Sequence, residues 1–184
     1  LPDGRPADII IETAGESPVE IDILQLARDS WQKVGIKAHI KTLQRDVMRN
    51  RTFAGETLIS AWKGLENALP TAKMPPHELA PVSQMQLQWP QWGMYYETHA
   101  QAGVPVDLDP ARDLRALYEQ WQVAVNPAEQ AEIWQKMLTI HADQVFSIGI
   151  VRGVPQPVVV NNTLRNVPEK AIYNWEPGAH FGMH

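Results

Sequence analysis

Six histidines and 21 carboxylates are the side chains with which this cysteine-free chain could do chemistry. His180 and His184 stand four apart, a spacing that on a helix would bring both rings to one zinc or nickel ion. Pro177, Gly178 and Gly182 argue against a helix there, so the pair reads as a loose end. His141 closes an apolar helical face and reads as a packing histidine, while His77 and His99 are isolated in irregular sequence. Asp107 and Asp109 precede a helix start, where carboxylates serve turns and N-caps. The missing cysteine excludes disulfides, zinc–thiolate sites and thiol nucleophiles. No nucleophile elbow, phosphate-binding loop, zinc-protease helix or dinucleotide fingerprint is present. The chain therefore reads as no enzyme, with no catalytic residue, metal ligand set or cofactor.

Binding chemistry is better represented. There are seven tryptophans. Trp31, Trp121 and Trp134 fall on helical apolar stripes and read as core. Trp62 follows a short apolar run, Thr57-Leu58-Ile59-Ser60-Ala61, that reads as a third strand. Ligands of open α/β sheets lie outside the carboxyl ends of the strands. Ser60, Trp62, Lys63 and Glu66 are accordingly candidate ligand residues: a flat apolar wall with charges of both signs. The alternative is that Trp62 plugs the top of the sheet and both charges are solvated. Trp89-Pro90-Gln91-Trp92-Gly93-Met94-Tyr95-Tyr96 either stacks on a ligand, through Trp92 and Tyr95, or fixes a long loop by packing.

Those side chains need elements to hold them. Ile9-Ile10-Ile11 centres a buried strand over 8–13. Ser17-Pro18-Val19-Glu20 has a cap, a proline at the first helical position and a glutamate completing a capping box. The helix should run over 18–34, with Ile21, Leu24, Ala27, Arg28, Trp31 and Val34 as its stripe and Gly35 as a left-handed C-terminal cap. Ile36–Leu43 alternates with period two, so it is a half-exposed strand, and the three pieces form a right-handed βαβ unit. A short helix over 45–51 precedes the strand at 57–62. Residues 63–109 carry many prolines and little periodicity, with helical turns near 76–80 and 92–98. Helices follow over 110–125, with Leu114, Leu117, Tyr118, Trp121 and Val125 apolar, and over 127–143, with Ala131, Trp134, Met137, Leu138 and His141 on one face. Asn126-Pro127 caps the second, giving an αα-hairpin. Late strands are expected over 146–151 and 156–160, the last at a sheet edge because of Pro157.

Composition bounds the partners. The 44% apolar content suffices for a core, and 16 basic against 21 acidic residues offer no electrostatic footprint for nucleic acid. No apolar run approaches the roughly 18 residues of a membrane span. The termini, Leu1-Pro2-Asp3-Gly4 and Trp175 to His184, read as those of a segment excised from a longer polypeptide.

The order of these pieces carries a resemblance. A strand ending at Glu12-Thr13 is followed by the helix end Trp31-Gln32-Lys33-Val34-Gly35-Ile36-Lys37-Ala38. Ile59-Ser60-Ala61-Trp62, the Leu117-Tyr118 helix, Ala131–Leu138 and the apolar Phe146–Val151 come later. Over residues 4–175 the chain resembles the C-terminal lobe of family 5 extracellular solute-binding proteins, the dipeptide- and oligopeptide-binding proteins of ABC importers. The family's helix-to-strand pattern is matched by Trp31–His39, and its strand-three tryptophan by Trp62. Lys63-Gly64-Leu65-Glu66-Asn67-Ala68-Leu69-Pro70 replaces its acidic and Asp-Pro loop. The aspartate that pairs with a peptide amino terminus in the family falls near Leu65, with Glu66 one residue away.

The resemblance implies an α/β fold, one lobe of a type II periplasmic binding protein, with a βαβ-led mixed sheet and helices packed on it. It implies that residues 1–184 form a single domain, the C-terminal lobe of a two-lobed protein that is periplasmic, or lipid-anchored outside a Gram-positive cell. Its partners would be a peptide or other small polar solute, the membrane permease of an ABC importer and an N-terminal lobe of the same chain. Two other readings compete: a small α/β hydrolase fragment, and a protein-interaction module using the aromatic and proline-rich segment 70–105.

Overall fold

The structure is a computed structural model that describes residues 4–62, 72, 75–150 and 157–170. Strand β1 (Ala7–Ala14), helix α1 (Pro18–Gln32) and strand β2 (Ile36–Leu43) form the expected βαβ unit. The two strands pair in parallel along their whole length, Ala7 opposite Ile36 and Ala14 opposite Leu43. Helix α2 (Arg45–Phe53) leads to a two-residue strand β3 (Ile59–Ser60), which joins the other side of β1 in parallel. The order is β2-β1-β3, so β1 is central. Centrality explains its near-continuous apolar sequence: Ile11 through Ala14 are all buried.

Local chemistry starts and stops these elements much as the sequence implies. The Ser17 hydroxyl accepts the Glu20 amide at 3.3 Å, and Gly35 takes φ +86°, the left-handed conformation that ends the connection after α1. The reciprocal half of the capping box does not form, because the Glu20 carboxylate accepts the Thr13 hydroxyl instead. Tertiary contact to the sheet outcompetes the local bond. Val34 is 74% exposed rather than on the buried stripe, since the helix has already ended at Gln32.

Two hydrophobic clusters follow. One joins Ile11, Leu24 and Ala38, with Ile9, Trp31, Ile40 and Ile59 packed against it. It lies between α1 and the sheet. The other is helical. A 3₁₀ turn (His77–Leu79), α3 (Pro90–Glu97), α4 (Asp109–Val123) and α5 (Pro127–Gln144) surround Leu79, Val82, Trp89, Leu114, Trp121, Ile133 and Met137. Helices α4 and α5 pack as the expected hairpin, and Asn126 caps α5 by accepting the Ala128 amide at 2.9 Å.

Several expectations need correction. On α5 the buried stripe is Ile133 and Met137, with Trp134 half-buried, whereas Ala131 and Leu138 face solvent. The face is rotated because Ile133 and Met137, not Ala131, meet α4. Val125 is 93% exposed because α4 stops at Val123. Leu108, not Asp109, occupies the N-cap of α4; Asp109 opens the helix and pairs with Arg112. Of the strands expected over 146–151 and 156–160, residues 151 and 156 lie outside the described residues, and 146–150 and 157–160 are irregular. Their β-branched side chains are largely exposed, and among the described residues no strand lies beside them to complete a ladder. The third strand pairs over two residues rather than six, and Leu58 stays 82% exposed.

Candidate functional site

All three parallel strands point their carboxyl ends at one edge of the sheet, and the segment just after each contributes a side chain, Arg45 as the first residue of α2. Glu16 follows β1, Arg45 follows β2 and Trp62 follows β3. The Nε of Arg45 lies 2.8 and 2.9 Å from the two carboxylate oxygens of Glu16, and a terminal guanidinium nitrogen donates to Glu16 as well. The same guanidinium carbon stands 5.5 Å from the centroid of the Trp62 ring. The hydrogen bond that Arg45 donates to Glu16, with the charge of that carboxylate, pushes Arg45 above its ordinary value, so the guanidinium is a fixed cation. Trp62 remains 36% exposed. It neither plugs the sheet nor stands clear of it; it forms a wall backed by an ion pair.

A buried carboxylate holds that edge in place. Glu12, on the last turn of the pleat before the loop, is only 4% exposed. Its oxygens accept Lys41 Nζ at 2.9 Å, Arg51 Nε at 3.1 Å and the Thr57 hydroxyl at 2.6 Å. Its backbone carbonyl accepts the Ala61 amide at 2.9 Å. One residue thus grips the β3 segment at both ends, just ahead of Trp62. Burial pushes the Glu12 carboxyl up, but the Thr57 hydroxyl, Lys41 and Arg51 together outweigh burial and hold it below the usual carboxylate range. Backbone geometry does the rest: the Gly15 amide donates to the Leu43 carbonyl at 3.0 Å, tying the loop after β1 to the end of β2.

The sequence-based candidates divide. Ser60 sits in β3 opposite Glu12, and Trp62 follows it at the strand ends. Lys63 and Glu66 lie outside the described residues, as do Leu65, His180 and His184. Trp92 is drawn into the helical cluster, stacked on Trp89 at 6.2 Å. Tyr95 lines a shallow groove with Tyr96, His99, Ala100, Arg115 and Glu119, which neither Ser60 nor Trp62 lines. Trp89 also meets Phe146 edge-on at 5.2 Å and His141 at 5.8 Å. His141 bonds the Leu79 carbonyl at 2.8 Å, as expected of a packing histidine. Leu79, Ala80, Pro81, Val82, Trp89 and Pro90 are all buried, so much of the segment read as an interaction surface is core.

Glu16 and Arg45 escaped the sequence reading. Both were legible in principle: each lies within two residues of the end of a parallel strand, where Trp62 lies too. Among the described residues no group of three or more histidines and carboxylates is placed to hold a metal, and no helix is long and apolar enough to cross a membrane.

No family model and no curated protein matches the chain. Solved structures do. The chain is similar to the oligopeptide-binding protein OppA, with TM-score 0.63 and 21% identity over 79% of this chain and 24% of that one. It is similar to the periplasmic binding protein MelB from Agrobacterium fabrum C58, in complex with stachyose, with TM-score 0.61 and 14% identity over 80% of this chain and 21% of that one. NikA from Brucella suis, in complex with Fe(III)-EDTA, gives TM-score 0.52 and 18% identity over 78% and 26%. The chain thus spans about a quarter of the length of the solved chains it matches. At these identities the likeness concerns the fold, and the fold is that of a lobe of a periplasmic solute-binding protein, resembling the family 5 oligopeptide-binding proteins.

Proposed function

We propose that this chain is one lobe of a two-lobed receptor that captures a small polar solute for an ABC-type importer. The observation that carries the reading is the convergence of Glu16, Arg45 and Trp62, each two residues past the end of one of the three parallel strands. That is the edge where open α/β sheets bind ligands. The solute would lie between this edge and a second lobe, and closure of the two around it would signal to the membrane permease. The short coverage of the longer solved chains supports the existence of a second lobe in the complete protein. The similar proteins support a range of polar solutes: one is an oligopeptide-binding protein and another is in complex with stachyose. A periplasmic or lipid-anchored extracellular place follows from the same role. Ser60, Lys63, Glu66, Trp92 and Tyr95 remain candidate contacts of that solute beside Trp62.

Binding by the complete receptor tests this. A thermal-shift panel of peptides, sugars and metal chelates identifies the solute, and Trp62→Ala is then titrated with it. Affinity should fall about tenfold or more, ~1.4 kcal/mol, with the melting temperature little changed. Normal binding by the variant would remove the solute from this edge.

A further inference from the structure

We infer that Arg49 is an oxyanion subsite beside the Glu16–Arg45–Trp62 edge, taking a carboxylate or phosphate group of the captured solute. The inference rests on the capture reading above and adds a charged group to the chemistry of its ligand. Helix α2 carries three arginines, Arg45, Arg49 and Arg51. Two of them are paired with carboxylates. Arg45 gives its Nε to both oxygens of Glu16 at 2.8 and 2.9 Å. Arg51 donates to Glu12 at 3.1 Å and to Glu56 at 2.8 Å. Arg49 is half-buried, yet among the described residues it forms neither a hydrogen bond nor an ion pair. Its guanidinium carbon stands instead over the Phe53 ring, 5.5 Å from the centroid. Asp46, the one carboxylate in α2, lies in its first turn, where it suits the helix macrodipole.

A cation over an aromatic ring uses its charge, not its N–H bonds, so the five donors of Arg49 stay unspent. Two parallel N–H bonds of a guanidinium match a carboxylate or a phosphate in the charge-assisted geometry that makes such pairs strong. An ammonium group meets a like charge at Arg49 and finds no paired carboxylate there to receive it. A lone hydroxyl engages the fork without a charge of its own and gains less. The stack also prepares the cation for binding. The Phe53 carbonyl accepts the Gln91 amide, which fixes the residue under the guanidinium and limits the entropy lost when an anion docks. The position suits a solute held at the sheet edge. Residues 45, 49 and 53 lie on successive turns of one face of α2, so Arg49 follows Arg45 by about 5 Å along the axis. Arg45 reaches Trp62 at the strand ends. A solute lying on Trp62 thus meets the paired Arg45 first and, one turn on, a cation without a partner.

The test uses this chain, isotope-labelled for NMR, with acetate, inorganic phosphate and ethylammonium as probes at an ionic strength held constant with sodium chloride. The Nε–H resonance of Arg49 is assigned by its loss in Arg49→Gln. Each probe is raised to about 100 mM, because a single bidentate contact is expected to bind at about 10 mM. Acetate, phosphate or both should move the resonance saturably, and ethylammonium should leave it in place. A response to acetate alone identifies a carboxylate, and one to phosphate alone a phosphate. The backbone amides of α2 should respond as well, at least tenfold more weakly in Arg49→Gln and undiminished in Arg45→Met. A response that survives Arg49→Gln, or that disappears in Arg45→Met, would overturn the inference by placing the anion on Arg45. Silence toward both anions, or an equal response to ethylammonium, would overturn it and leave Arg49 a solvated cation. In the complete receptor, Arg49→Gln should weaken the identified solute at least tenfold. Unchanged affinity there would overturn the solute as the source of the oxyanion, while the Trp62→Ala titration decides the capture reading separately.

Discussion

Glu12 shows how one side chain can serve both the fold and the site. Its carboxylate is buried at the centre of the sheet and is stable there only because Lys41, Arg51 and Thr57 face it. Glu12→Gln leaves two cations opposite an amide, so it should cost roughly 2 kcal/mol, the scale of a hydrogen bond to a charged group. A shift in the denaturant midpoint at neutral pH measures this. The pH dependence has a definite sign. The folded-state carboxyl titrates below its unfolded value, so its contribution is present above the unfolded pKa of about 4.3 and is lost as pH falls through the lower folded value. Wild type and variant should therefore converge in stability as pH drops below about 4. A gap that persists into acid would mean that Gln fails for shape rather than charge.

Among the elements, α3 is positioned by close backbone approach. A Cβ at Gly93 would overlap the Ser83 carbonyl and the Gln84 amide. No flexible side chain can yield there, so α3 can lie against the preceding segment only with glycine at this position. That approach seats Trp89, just ahead of the helix, among Trp92, His141 and Phe146. Gly93→Ala should destabilise by about 1–3 kcal/mol, as overpacking does. Near-ultraviolet circular dichroism should change with it, because the displaced helix carries Trp92, Tyr95 and Tyr96. An unchanged spectrum and melting temperature would show that the helix shifts without cost.

The whole molecule divides its core between the sheet and the helices. Leu24 anchors the first cluster and Leu114 the second, and the two clusters share no buried residue. A visible link between the halves is polar: the Gln91 amide donates to the Phe53 carbonyl, joining α3 to the end of α2. Leu24→Ala and Leu114→Ala should each cost about 2–5 kcal/mol. Because they share no partner, their costs should add to within about 0.5 kcal/mol in the double variant. Chemical denaturation of the four proteins checks this, and strong coupling would indicate one continuous core instead.

Local chemistry was enough to read much of this protein. Ser17-Pro18, Gly35 and Asn126-Pro127 act within a few residues of themselves, so the βαβ unit and the hairpin of α4 and α5 were legible in the chain. The place of Trp62 at a strand end was legible by the same logic, since it follows a short apolar run. What the sequence did not disclose depends on neighbours far along the chain. Glu20 fits a capping box locally, yet bonds Thr13 because folding brings β1 beside it. Trp92 resembles a binding aromatic locally, yet Trp89 and the helical cluster claim it. The 146–150 and 157–160 runs have strand composition, but a strand is a pairing, and composition cannot supply the partner. Glu16 and Arg45 are 29 residues apart and unremarkable as types. Only the parallel register of β1 and β2 sets them side by side under Trp62, because a sheet converts distant strand ends into one edge.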